Sequence, residues 1–406
     1  MNARVVTAVA LGSLCLSAQE PDPARVGWQG KSYVLERLPD GVSEQARAAV
    51  SAWAPWIAQH DYRMDLDASA RVLLVSSHTR ARVAGELGLI ERTGALFDAL
   101  LPPPPPSSGA PAPVQGEPKP APGAAPIPED PEAPPSGLQP VPAEDPVDQR
   151  TAARPATTWG AGSLEPDGQA AVMLVLKTEG DYLSALEFLT GLQPYLAEWI
   201  EEARKHTGFA IEVPLCGAYV ENASEQEEWN PDNELVHRVM RLFVMRRFGQ
   251  PPYWLAAGLS WYAELKVMKT IYCFPYRVGF VGVGEHGGWD AWLRSTFGDK
   301  KRLPVTMKEL TVLSRGSYDD DGARMAWGFV DFVARRHPAA FSSLLEELRL
   351  FRHEHDRVEL PGGTWRRKRG YEVPVEQQEA ILEQQLGQDF LPELTRYWGT
   401  MPPPLE

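Results

Sequence analysis

Apolar residues fall into two rhythms along this chain. Arg71-Val72-Leu73-Leu74-Val75 is apolar almost throughout, as a buried strand is. Ala170 to Lys177 repeats the pattern with branched residues, and Ser32 to Leu35 reads as a shorter strand. Phe209–Val213 and Ala218–Val220 read as strands split by Pro214 and Gly217. Elsewhere the spacing is helical. It predicts helices over Ser43 to about Ile57, with Val50, Trp53, Ala54 and Ile57 on one face, over Arg80–Leu101, and over Asp181–Lys205. Pro55 weakens the last turn of the first. From Pro231 onward helices dominate, at 231–248, 254–268, 289–297, 307–313, 322–336, 339–350, 375–386 and 391–398. Strands first and helices after predict an α+β fold, a mixed sheet packed on the helix at 231–248 and a mostly helical C-terminal half.

Composition changes this picture in one place. Residues 102–150 hold 18 of the 38 prolines, no aromatic residue, and seven acidic against two basic side chains. Such a stretch buries too little apolar surface to offset the entropy of ordering it. We expect a proline-rich linker or insertion over 102–158, between a mixed α/β segment at 25–101 and a core at 159–268. A helical region follows at 269–406. The N-terminus reads as an export signal over residues 1–18. Arg4 gives the positive start, Val5–Leu16 the apolar run, and Ser17-Ala18 a small-residue cleavage site. Cys15 raises a lipoprotein reading, against which Leu14 stands where a small residue belongs. The expected location is periplasmic or extracellular, at the cell envelope, with no membrane span in the mature chain. Cys216 and Cys273 would remain after cleavage, as a disulfide or as two buried thiols. A formal net charge of −14 argues against nucleic acid as a partner.

The candidate chemistry lies in NELVHRVMRLFVMRRFGQPPYWLAAGLSWYAEL, residues 233–265. Asn230 can cap the helix and Pro231 suits its first position. Gly249, Pro251 and Pro252 break it before a second helix. The pair resembles the gluzincin, or peptidase MA-like, superfamily, and especially its exported bacterial members, whose first helix carries HExxH and whose second reads like WLAEGLAEY. The resemblance covers residues 209–268. It implies a thermolysin-like core in which two histidines and a glutamate from the second helix hold zinc, with the glutamate of HExxH as general base.

Carried over by position, Glu234 matches the general base and His237 the second zinc ligand. Asn233 stands in place of the first ligand and Ala257, after nineteen intervening residues, in place of the third. A neutral amide is a poor zinc ligand and a methyl group is none. Glu264 lies two turns beyond Ala257, about 10 Å along the axis, and fits badly as a substitute. Glu285 with His286, or His353 with His355, would have to fold in from afar. The resemblance therefore implies no cofactor, with zinc only if the ligand set has been rebuilt. Trp254, Trp261, Tyr262, Glu264 and Tyr318 are candidate cleft residues, the aromatic ones of the second helix reading as core and cleft wall rather than as a recognition platform. Asp319-Asp320-Asp321-Gly322 reads as a turn before a helix, and Trp365 to Gly370 as a basic loop. The expectation is an exported pseudo-peptidase that binds a peptide or protein partner or acts as a scaffold. Its rivals are an active zinc hydrolase with a rebuilt site and a structural helical domain with a coincidental motif.

Overall fold

The computed structural model of the protein describes residues 25–102, 170–221, 230–272, 288–299, 302–314, 319–360, 364–368 and 370–400. Seven strands form one mixed sheet: β1 (Arg25–Trp28), β2 (Lys31–Val34), β3 (Arg63–Leu66), β4 (Val72–Ser76), β5 (Ala171–Leu176), β6 (Gly208–Ile211) and β7 (Cys216–Val220). Their order is β2-β1-β3-β4-β5-β7-β6, with β1 and β3 parallel and β4, β5 and β7 parallel. Strands from either side of the proline-rich segment thus share one sheet. The linker or insertion expected at 102–158 lies, in chain order, between strands of that one sheet. β1 and β3 are additions to the expected strands, short and interrupted by Gly27 and Asp65 where apolar residues would have marked them.

Both faces of the sheet are covered, because side chains alternate along each strand. Leu73, Val75, Val172, Leu174, Cys216 and Ala218 meet α1 (Glu44–Ile57), α3 (Glu179–Leu192) and α4 (Ala197–Ala203). Val72, Leu74, Ala171, Met173 and Tyr219 meet α2 (Arg80–Leu100) and α5 (Pro231–Phe248). The single helix expected over Asp181–Lys205 is two, with Pro194 opening a 3-10 turn between them. Its ring removes an N–H that a continuous helix needs. Pro55, by contrast, lies inside α1 without ending it.

On the α5 side a second helical layer follows. α6 (Tyr253–Met268) packs on α5 and on α9 (Asp320–Arg336). α7 (Trp289–Gly298), α8 (Met307–Leu310), α10 (Pro338–His355), α11 (Val375–Leu386) and α12 (Phe390–Gly399) complete it. Asp319 caps α9 by accepting from Gly322 N. The basic loop expected at Trp365–Gly370 begins instead as β9 (Thr364–Arg367), the partner of β8 (Arg357–Leu360) in a hairpin. The architecture is mixed α/β, as the pattern predicted. Among the described residues no helix is long and apolar enough to cross a membrane.

Candidate functional site

Residue chemistry fixes both ends of the motif helix. Asn230 accepts hydrogen bonds from the backbone N–H groups of Asp232 and Asn233. At the other end Gly249 takes φ +67°, where a side chain is strained. Pro251 and Pro252 turn the chain back, and α6 returns beside α5. His237 lies eleven residues before Phe248, the end of α5, and Glu264 eleven residues past Tyr253, the start of α6. Equal distances from the turn put the two at one height in the hairpin.

They meet there. His237 Nδ1 lies 2.8 Å from Glu264 Oε1. Asn233 Nδ2 donates to Glu264 Oε2 at 2.9 Å and to the Thr270 carbonyl at 2.8 Å. Thr270 Oγ1 donates to Asn233 Oδ1 at 3.3 Å, and Tyr272 N donates to Glu264 Oε2 at 2.9 Å. Asn233 and Glu264 are fully buried, and His237 nearly so. The amide is oriented by its surroundings. A carboxylate and a carbonyl, both acceptors, face one of its terminal atoms, which must be nitrogen. Burial, then the guanidinium groups of Arg241 and Arg238, hold the His237 imidazole well below its ordinary pKa. The neutral ring gives its one hydrogen to Glu264 through Nδ1. Nε2 is left as a buried lone pair with no partner among the described residues. An edge-on contact with Trp261, centroids 6.1 Å apart, holds the ring.

A zinc ion does not fit these atoms as they stand. What Asn233 and His237 turn toward the carboxylate are N–H groups, and a metal needs lone pairs. Among the described residues Asn233, His237 and Tyr272 all donate to Glu264, so hydrogen bonds offset the cost of burying its carboxylate. Among the described residues no three His, Cys, Asp or Glu side chains are grouped to hold a metal.

The remaining expected residues are distributed differently. Ala257, expected opposite Asn233 and His237, is buried seven residues before Glu264, about 10 Å up the helix. The expectation counted residues from His237; the hairpin register counts from the turn, and α5 continues three turns past His237. Glu264, set aside as a poor fit, is the residue the two motif side chains share. Glu234 is buried and ion-paired with Arg238 one turn on. Trp254, Trp261 and Tyr262, expected as core and cleft wall, are buried in the core. The Trp254 indole donates to Gln378 Oε1 at 2.8 Å and packs edge-on against Phe329. Trp261 packs on Trp289. Burial pushes the Tyr262 hydroxyl up to about 12, and the Lys266 ammonium lies 5.2 Å from its ring. Cys216 is buried, which raises its thiol pKa. Cys273, and with it the expected pairing, lies outside the described residues, as do Tyr318, Glu285 and His286. Thr270 and Tyr272, which complete the network, carry no sequence signal of that role. Comparison with protein-family models, with curated proteins and with solved structures gave no match.

Proposed function

We propose that this is an exported, non-catalytic protein with a gluzincin-like, thermolysin-like core, acting as a scaffold or as a binder of a peptide or protein partner. One observation carries the reading: among the described residues, N–H groups of Asn233, His237 and Tyr272 point at the buried Glu264 carboxylate, which a catalytic site would turn toward zinc. Glu234, the position of a general base, is engaged by Arg238 and shielded from water, so it has no open path to activate a water molecule. The aromatic residues of α6 are committed to the core, so a partner is met by the outer surface.

A second reading, a zinc hydrolase with a rebuilt ligand set, has one observation in its favour: Glu264 supplies at the right height the carboxylate that Ala257 does not. It requires Asn233 to turn over and give up both donated bonds. Metal analysis of the mature protein after zinc loading and dialysis decides between them. The scaffold reading expects well under one zinc per chain and no peptidase activity; about one zinc per chain overturns it. Asn233→His supplies the missing imidazole beside His237 and Glu264. That single variant is expected to bind zinc at least tenfold more tightly than the parent. No gain means the correspondence with the zinc site is wrong.

A further inference from the structure

A second cluster of charged groups lies where the parallel strands end. His78 sits in the turn between β4 and α2, with Nδ1 2.7 Å from Glu86 Oε1 and Nε2 2.6 Å from Glu221 Oε2. Glu86 is on α2 and has no exposed surface; Glu221 directly follows β7 and is partly exposed. Arg82 donates to Asp232 Oδ1 at 2.6 Å, with Glu86 Oε1 at 3.4 Å and Glu221 Oε1 at 4.0 Å. Three elements are joined by these contacts: α2 with its preceding turn, the end of β7 and the first turn of α5.

Proton counting gives the cluster a property that charge alone does not. Each short contact between an imidazole nitrogen and a carboxyl oxygen needs one hydrogen. A neutral imidazole with two carboxylates has one hydrogen for two contacts. The geometry is satisfied by an imidazolium between two carboxylates, or by a neutral ring between one carboxylic acid and one carboxylate. Both contain the same additional proton. We propose that His78, Glu86 and Glu221 share that proton, and that it makes them a clamp, closed while the proton is bound and slackened when it leaves.

The surroundings favour retention. Glu86 Oε2 is buried with no hydrogen-bond partner among the described residues, a position costlier for a carboxylate than for an acid. Burial raises the Glu86 carboxyl pKa against the opposing pull of His78 and Arg82. Arg82 is itself engaged by Asp232 of α5. Beyond these, Glu234 and Asp181 add acidic charge near Tyr219 and Tyr62, with Glu234 itself ion-paired to Arg238. A carboxyl raised on folding contributes stability that is complete below its unfolded pKa, about 4.3, and declines as pH rises through its folded value. The clamp therefore weakens with rising pH.

The test compares the full chain with Glu86→Gln by urea unfolding from about pH 5 to about pH 9. The amide keeps its hydrogens at every pH and can still donate to Nδ1. Stability of the parent should fall relative to the variant as pH rises, with a difference in linkage slope of up to about one proton per chain. Asp65, whose carboxyl burial pushes up to about 6, titrates in both chains and cancels in the difference. Parallel profiles overturn the proposal. Should the variant not fold, Glu221→Gln at the partly exposed end of the cluster takes its place, with the same fall of the parent relative to the variant expected and parallel profiles again overturning the clamp.

Discussion

Asn233 donates both of its amide hydrogens, which fixes what its replacement does. Asn233→Leu keeps the branching and the number of side-chain heavy atoms and removes the donors to Glu264 and to the Thr270 carbonyl, along with the acceptor for the Thr270 hydroxyl. A buried carboxylate deprived of one donor, with a carbonyl stranded beside it, costs about 2–4 kcal/mol, read as a lower urea midpoint. Asn233→Asp is informative in another way. It sets a second carboxylate where the first is met at 2.9 Å, and the two cannot both ionise at low cost. One of them takes a raised pKa in the folded state. By linkage the variant is most stable at low pH and loses stability as pH rises through that value. Parent and Asn233→Asp compared at about pH 5 and about pH 8 should diverge at the higher pH. Equal differences at both would show that the amide does not face Glu264.

Gly258 shows how the helices constrain one another. A Cβ there would lie 2.5 Å from the Ala326 carbonyl oxygen of α9, a backbone atom that cannot swing aside. Gly258→Ala should therefore destabilise by about 1–3 kcal/mol through overpacking, although alanine is intrinsically the better helix former by about 1 kcal/mol. Gly88, inside α2 with nothing within 4 Å of its added Cβ, is the control. Gly88→Ala should stabilise by about 0.5–1 kcal/mol, and thermal midpoints moving in opposite directions check both. Such close approach is invisible in sequence, where both positions read as a glycine in a helix. The limits of α5 and α6 were legible because caps and prolines are local signals. The side-chain register between them was not, since it depends on where the turn falls: counted from His237 it favoured Ala257, counted from the turn it gives Glu264. The aromatic residues of α6 left core and cleft wall undivided for a related reason. A tryptophan on a helix looks the same in sequence whether a groove or another helix lies beyond it, and here α9 and α11 do.

The whole molecule depends on joining chain segments on either side of the proline-rich stretch, and Arg71 shows how near their ends come. Its guanidinium pairs with Asp98 in the last turn of α2 at 3.1 Å, while its carbonyl accepts from Ala171 N at the start of β5 at 2.9 Å. The descending helix and the next parallel strand thus converge on one residue. Arg247 of α5 also holds the chain past α2, donating from Nη2 to the Pro102 carbonyl at 2.7 Å. Pro102 and Ala170, the described residues on either side of the expected linker, are thus both placed at the core. On the linker reading, replacing residues 103–169 with about eight Gly/Ser residues removes closure entropy as (3/2)RT ln n, about 2 kcal/mol in favour of folding. The shortened chain should fold with an equal or higher urea midpoint and retain the charged cluster at His78. A chain that loses cooperative unfolding would mean that the deleted residues supply part of the core, and the linker reading would then fail.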